Sequence, residues 1–168
     1  MEQKKRYICL FVENDIGVLA RISGLFSSKS YNMDSLSVGE TEDPTVSRMT
    51  IGLTSDDRTF EQIKKQLNRS VEVIKVVDYT DIPIHMKELM FIKIGSCSEK
   101  DKAEIFRIAQ VFGVNVRDYS KTTVLLECIQ TEERNKELIA LMSEIFVNRI
   151  EVVRGGGVAI EAVSIAER

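Results

Sequence analysis

Apolar and polar positions switch between two periods along this chain, and the switches mark its elements. Residues 7–12 are a wholly apolar run of strand length, and Glu13, Asn14 and Asp15 break it with turn- and cap-forming side chains. Gly17 follows. From there Val18, Leu19, Ile22, Leu25 and Phe26 recur at i, i+1, i+4, i+7 and i+8, which is one stripe of a helix and not of a strand. Residues 32–39 and 45–53 read as two strands joined by an acidic turn at 41–44. In the second, Met49, Ile51 and Leu53 alternate with Arg48, Thr50 and Gly52, so one face is buried and Arg48 lies on the other. Residues 55–57 can cap a helix striped by Phe60, Ile63 and Leu67, and the β-branched run 71–77 closes the unit.

Residues 79–85 carry Pro83 and read as a connector, after which the same grammar repeats. A strand at 88–97 leads to a helix capped by Ser98, with Ile105, Phe106, Ala109 and Phe112 on one side and Gly113 placed to end it. Residues 115–119 and 123–130 make two strands, Thr131 caps a helix striped by Leu138, Leu141, Met142, Ile145 and Phe146, and 149–154 and 158–163 are extended. The order is βαββαβ twice. The expected fold class is α+β, two tandem ferredoxin-like domains at 1–79 and 87–168 with a linker at 80–86, the second carrying an added terminal strand. If Leu36, Val38, Met49 and Ile51 lie on the outward sheet face, that face is apolar enough to favour a homodimer.

Composition narrows the function classes. The 168 residues are 43% hydrophobic and 29% charged with a net charge of −3, and the basic residues are scattered among acids, so a nucleic-acid footprint is not expected. Residues 1–6 are basic, but the apolar run behind them is too short for a secretory signal, and no window reaches the length of a membrane span, so a cytoplasmic location is expected. Cys9, Cys97 and Cys128 each lie in or at the end of an apolar run and read as packed free thiols. His85, the single histidine, lies in the connector with no nucleophile and acid around it. Gly155, Gly156 and Gly157 stand between two β-like runs, whereas a phosphate-cradling loop leads from a strand into a helix, so they read as a turn or bulge. With no metal-ligand cluster and no thiamine diphosphate or flavin signature, the chain is expected to hold no cofactor or metal and to have no catalytic residues.

The polar turn before the first helix holds the candidate chemistry. A helix N-terminus has unpartnered N–H groups and a partial positive charge, which suit a carboxylate, and Gly17 has no side chain to block approach. Asn14 and Asn32 add amides that donate and accept. Asn14 and Asp15 are equally ordinary capping residues and Gly17 an ordinary turn residue, so the local pattern fits either use.

These stretches resemble the ACT domain of the acetolactate synthase (acetohydroxyacid synthase) small, regulatory subunit. The family's E-N-x-x-G-x-L-x-R, G-L-F and Y-N-x-x-S-L correspond here to Glu13, Asn14, Gly17, Leu19 and Arg21, to Gly24, Leu25 and Phe26, and to Tyr31, Asn32, Ser35 and Leu36. Asp43, Pro44, Ser47, Arg48, Met49, Thr50 and Ile51 follow its D-P-x-x-S-R-M-T-I, and residues 61–67 its E-Q-I-x-K-Q-L helix. The likeness is colinear over the first 78 residues and looser to about Ala159.

The resemblance implies a non-catalytic regulatory subunit that activates the acetolactate synthase large subunit in branched-chain amino acid biosynthesis and confers feedback inhibition by valine. Thiamine diphosphate, magnesium and FAD are then expected in the partner catalytic subunit. It also implies a homodimer through the ACT domains, with the effector bound by Asn14, Asp15, Ile16, Gly17, Val18 and Leu19 of one protomer and Asn32 and Met33 of the other. The alternative is a stand-alone ACT amino-acid sensor acting on another enzyme or a transcription factor. The chain departs from the family at Ser30, where glycine commonly stands and a left-handed helix end is expected.

Overall fold

The computed structural model describes residues 2–163. The chain forms two compact units, one of residues up to Met86 together with those from Gly156 on, the other Lys87–Gly155.

In the first unit β1 (Lys4–Glu13), α1 (Val18–Ser28), β2 (Ser35–Glu40), β3 (Val46–Ser55), α2 (Asp57–Leu67) and β4 (Val73–Asp78) follow in chain order. The strands lie in the order β2-β3-β1-β4 and pair antiparallel throughout, the ferredoxin-like arrangement. β1 is longer than its apolar run because Lys4, Lys5 and Arg6 continue the ladder opposite Ser55, Thr54 and Leu53. Alternation then sorts the side chains. Ile8, Leu10 and Val12 with Met49, Ile51 and Leu53 face Val18, Ile22 and Phe26 of α1 and Phe60, Ile63 and Leu67 of α2 in one core.

Register corrects one expectation. Leu36 lies opposite Ile51 and Val38 opposite Met49, so these four share the helix-covered face and do not make the outward face apolar. The stripe of α1 is also narrower than its spacing implied, since Val18, Ile22 and Phe26 are buried while Leu19 is 44% exposed.

The outward face of this sheet is covered from within the chain. Cys9 packs with Tyr79 and Ala159, flanked by Tyr7, Phe11, Val77, Ile82, Ile84 and Met86. Ala159 belongs to β9 (Val158–Glu161), which pairs with β5 (Ile84–Ile94). Two placements therefore differ from expectation. The terminal strand is the added fifth strand of the β5 sheet, as expected, yet it packs with the first unit, and the segment 80–86 is strand from Ile84 on, with His85 exposed on it. Both follow from the apolar outer side of β1, which this segment and β9 bury together. Arg48 reaches the same layer, as its place in the alternation requires. Its Nη2 donates to the Tyr79 hydroxyl at 2.6 Å and to the Ala159 carbonyl at 2.7 Å, and its Nε to Cys9 Sγ at 3.0 Å.

The second unit repeats the order with β5, α3 (Glu99–Phe112), β6 (Asn115–Tyr119), β7 (Val124–Gln130), α4 (Glu132–Ile145) and β8 (Ile150–Arg154), its sheet ordered β6-β7-β5-β8. Met90, Ile92 and Ile94 with Val124, Leu126 and Cys128 face Ile105, Ile108, Leu138, Met142 and Phe146. Ser98 and Asp101 form a reciprocal capping box on α3, Gly113 ends it at φ 68°, and the Thr131 side chain caps α4. The glycine run connects β8 to β9, two strands, and opens no helix.

Candidate functional site

The loop between β1 and α1 leaves a fixed sheet end. The Glu13 N–H donates to the Glu72 carbonyl at 3.0 Å and the Asn14 N–H to the Thr45 carbonyl at 2.8 Å. The Asn14 side chain is tied to the same neighbour, Nδ2 donating to the Pro44 carbonyl at 2.9 Å and Oδ1 accepting from Ser47 Oγ at 2.9 Å. One N–H and one acceptor site of the amide remain for another group. Asn14 is thus a brace between loops and does not cap α1. Asp43 sets the facing turn by accepting from both the hydroxyl and the N–H of Thr45, which hold its carboxyl below the usual carboxylate range.

Gly17 occupies the N-cap of α1 at φ 86°, ψ −5°, with no side-chain cap bond and no acidic residue in the first turn. The Val18 N–H turns back to the Asp15 carbonyl at 3.3 Å. The positive end of an 11-residue helix is therefore exposed without a neutralising group. A Cβ on Gly17 would lie 3.2 Å from Arg21 Nη1, a flexible tip, so backbone conformation and not crowding is what requires glycine here. Arg21 is ion-paired with Glu72 beside the loop. Next to this positive end stand two apolar side chains with little cover, Ile16 fully exposed and Leu19 partly so. Glu13, Asn14, Asp15, Pro44, Thr45 and Val46 line an adjoining depression of about 470 Å³.

Asn32 and Met33 lie at the other end of α1, just before β2. The helix closes there by a Schellman motif: Tyr31 N–H donates to Phe26 O at 3.0 Å, Ser30 N–H donates to Ser27 O at 3.1 Å, and Ser30 is left-handed at φ 57°. The Tyr31 ring packs edge-on against Phe26 at 6.4 Å. Asn32 Nδ2 donates to Asp34 Oδ1 at 3.2 Å, and Met33 is half-buried against the first core. Asn32 shares a cavity of about 210 Å³ with Tyr31, Thr54, Asp56 and Ser55, whose buried hydroxyl has no protein partner. A helix of this length spans roughly 16 Å, so one chain does not bring Asn14–Leu19 to Asn32 and Met33.

Sequence reasoning missed Pro44, Thr45 and Ser47 as the holders of Asn14, and Glu72 as the partner of Arg21. Pro44 and Ser47 stand in the D-P-x-x-S-R-M-T-I block, but their pairing with a residue 30 or more positions away is visible only in the sheet register. Among the described residues no group of His, Cys, Asp or Glu is placed to hold a metal ion, and no helix is long and apolar enough to cross a membrane.

The profile of the AHAS small subunit-like ACT domain matches residues 8–75, and that of the small subunit of acetolactate synthase matches residues 87–163. The acetolactate synthase small subunit of Aquifex aeolicus is 39% identical over 156 residues, 93% of this chain and 80% of that protein. The chain belongs to the acetolactate synthase small-subunit family. The isozyme 3 small subunit of Salmonella typhimurium is 33% identical over 93% of this chain and 94% of its own length. Among solved structures, the acetolactate synthase small subunit from Thermotoga maritima superposes with a TM-score of 0.83 at 30% identity, covering 95% of this chain and 98% of that one. The uncapped glycine turn at Gly17 falls inside the ACT match, and the Ser98 and Thr131 caps inside the small-subunit match.

Proposed function

We propose that this chain is the regulatory subunit of an acetolactate synthase, without catalysis of its own, acting on a catalytic large subunit that carries thiamine diphosphate, magnesium and FAD. The observation that carries this reading is the tandem of family matches, one over each sheet, at residues 8–75 and 87–163. A free-standing ACT sensor would have no need of the second. The ACT domain of the first unit takes the effector and pairs two protomers, and the second unit, Lys87–Gly155, activates the catalytic subunit.

The effector is a branched-chain amino acid, foremost valine, held between protomers. The amides at Gly17, Val18 and Leu19 receive its carboxylate, that of Val18 exchanging its 3.3 Å bond to the Asp15 carbonyl for the ligand, the remaining valences of Asn14 and Asn32 take its polar ends, and Ile16, Leu19 and Met33 its isopropyl group. Two features support a shared site: the helix length between the two residue groups within one chain, and the exposure of Ile16 and Leu19. Binding there shifts how the protomers pair, with a coupling of about 1 to 3 kcal/mol to the catalytic subunit.

Calorimetric titration with valine, leucine, isoleucine and an unrelated amino acid tests the site, and reconstitution with a catalytic subunit tests the role. Valine is expected to bind the wild type, to bind Asn32→Ala about tenfold or more weakly, and to be lost in Gly17→Asp, which sets a carboxylate against the ligand's own. Normal valine binding by Gly17→Asp would remove the site assignment. A chain that left the activity of the catalytic subunit unchanged would remove the subunit role.

A further inference from the structure

Residues 156–161 lie on the outer face of the first sheet, and their hold on it is narrow. In β9 only Ala159 is buried, while Val158 is 66% and Ile160 58% exposed. The tethers are the pairing of β9 with the start of β5, the Arg48 bond to the Ala159 carbonyl, Ser37 Oγ donating to the Gly157 carbonyl at 2.8 Å, and Ala162 N–H donating to the Pro83 carbonyl at 2.8 Å. Beneath the segment Cys9 has no exposed surface.

The glycine run explains how the segment gets so close. A Cβ on Gly156 would stand 2.5 Å from the Leu36 carbonyl oxygen and 2.6 Å from its carbon, backbone atoms of β2 that cannot rotate away. At Gly157 the nearest atom is the flexible Met86 sulfur at 2.8 Å, and at Gly155 contact is ordinary at 3.6 Å. Only the middle glycine is required by the crossing. A stretch with one buried side chain and a few tethers opens at a lower free energy than a packed core.

We propose that residues 156–161 are a latch that opens while both cores stay folded, uncovering Cys9 and Arg48 and loosening β2 at Leu36 and Ser37. Because β2 begins just after Asn32 and Met33, the latch sets how firmly that strand is held. The test is alkylation of the native full-length chain by iodoacetamide, resolved by mass spectrometry at each cysteine, together with amide hydrogen exchange. In Gly156→Ala the clash with β2 should raise Cys9 modification about tenfold and speed exchange at residues 35–38, with Cys97, Cys128, α1 and α2 unchanged. Cys97 and Cys128 belong to the second core and serve as internal controls. Ser37→Ala, which removes one tether without a clash, should give a smaller rise at Cys9 and covers the case in which Gly156→Ala does not fold. Equal acceleration at all three cysteines would mean global unfolding and overturn the latch, as would an unchanged Cys9 rate. Neither readout uses an effector, so failure here is separate from failure of the regulatory reading.

Discussion

Ser30 and Gly24 stand where an isolated helix would prefer each other's kind. Ser30 holds the left-handed C′ position at φ 57°, which for an L-residue costs about 1 to 2 kcal/mol, whereas Gly24 sits mid-helix with open space where a Cβ would be. Ser30→Gly is expected to stabilise the chain by about 0.5 to 1 kcal/mol once the extra freedom of glycine in the unfolded chain is subtracted, and Gly24→Ala by about the same. Midpoints of urea unfolding would show both. The demand at residue 30 is legible in the sequence, because a helix stripe ending at Phe26 followed by Tyr31 and Asn32 leaves little room for another kind of turn. The use of Asn14 is not. A capping residue and a loop brace are the same residue type at the same place, and what separates them is the Pro44 carbonyl 30 positions on.

Among the elements, α3 is fixed most explicitly at its ends. Asp101 accepts from the N–H and hydroxyl of Ser98 and from Arg149, and these partners pull its carboxyl down to about 2. A carboxyl lowered in the folded state from an ordinary 3.8 stabilises the fold above pH about 4, and that contribution is lost as pH falls toward about 2. Asp101→Asn should therefore flatten the acid limb of a stability–pH profile between these values, measured as urea midpoints, while leaving the slope above pH about 5 unchanged. In the same unit burial, then the neighbouring Glu127 charge, pushes the Cys128 thiol up to about 11. It is expected to resist alkylation at neutral pH. The helices and their caps are legible because each signal is local: Ser98, Gly113 and Thr131 act within four residues of themselves. Packing partners are set elsewhere in the chain, which is why residues 158–163 are recognisable as an added extended strand from their pattern while the unit they pack with is not.

The whole molecule has separate helix-facing cores, but its chain is not two beads in sequence. The first unit is completed by residues that follow the second, through Ala159 under Arg48. A chain ending after Gly155 should keep the second core and lose about 2 kcal/mol from the first, the scale of a few lost hydrogen bonds and a small apolar contact. Hydrogen exchange would show faster opening in residues 2–86 with 87–155 unchanged. The same arrangement sets an order in time. Roughly 70 residues separate the two parts of the first unit, which at about 5 to 20 residues per second is about 4 to 14 s of ribosomal synthesis. Throughout that interval the nascent first sheet presents an unfinished apolar face around Cys9 and Phe11, open to nascent-chain chaperones, and of the two units the one begun earlier is the one finished later.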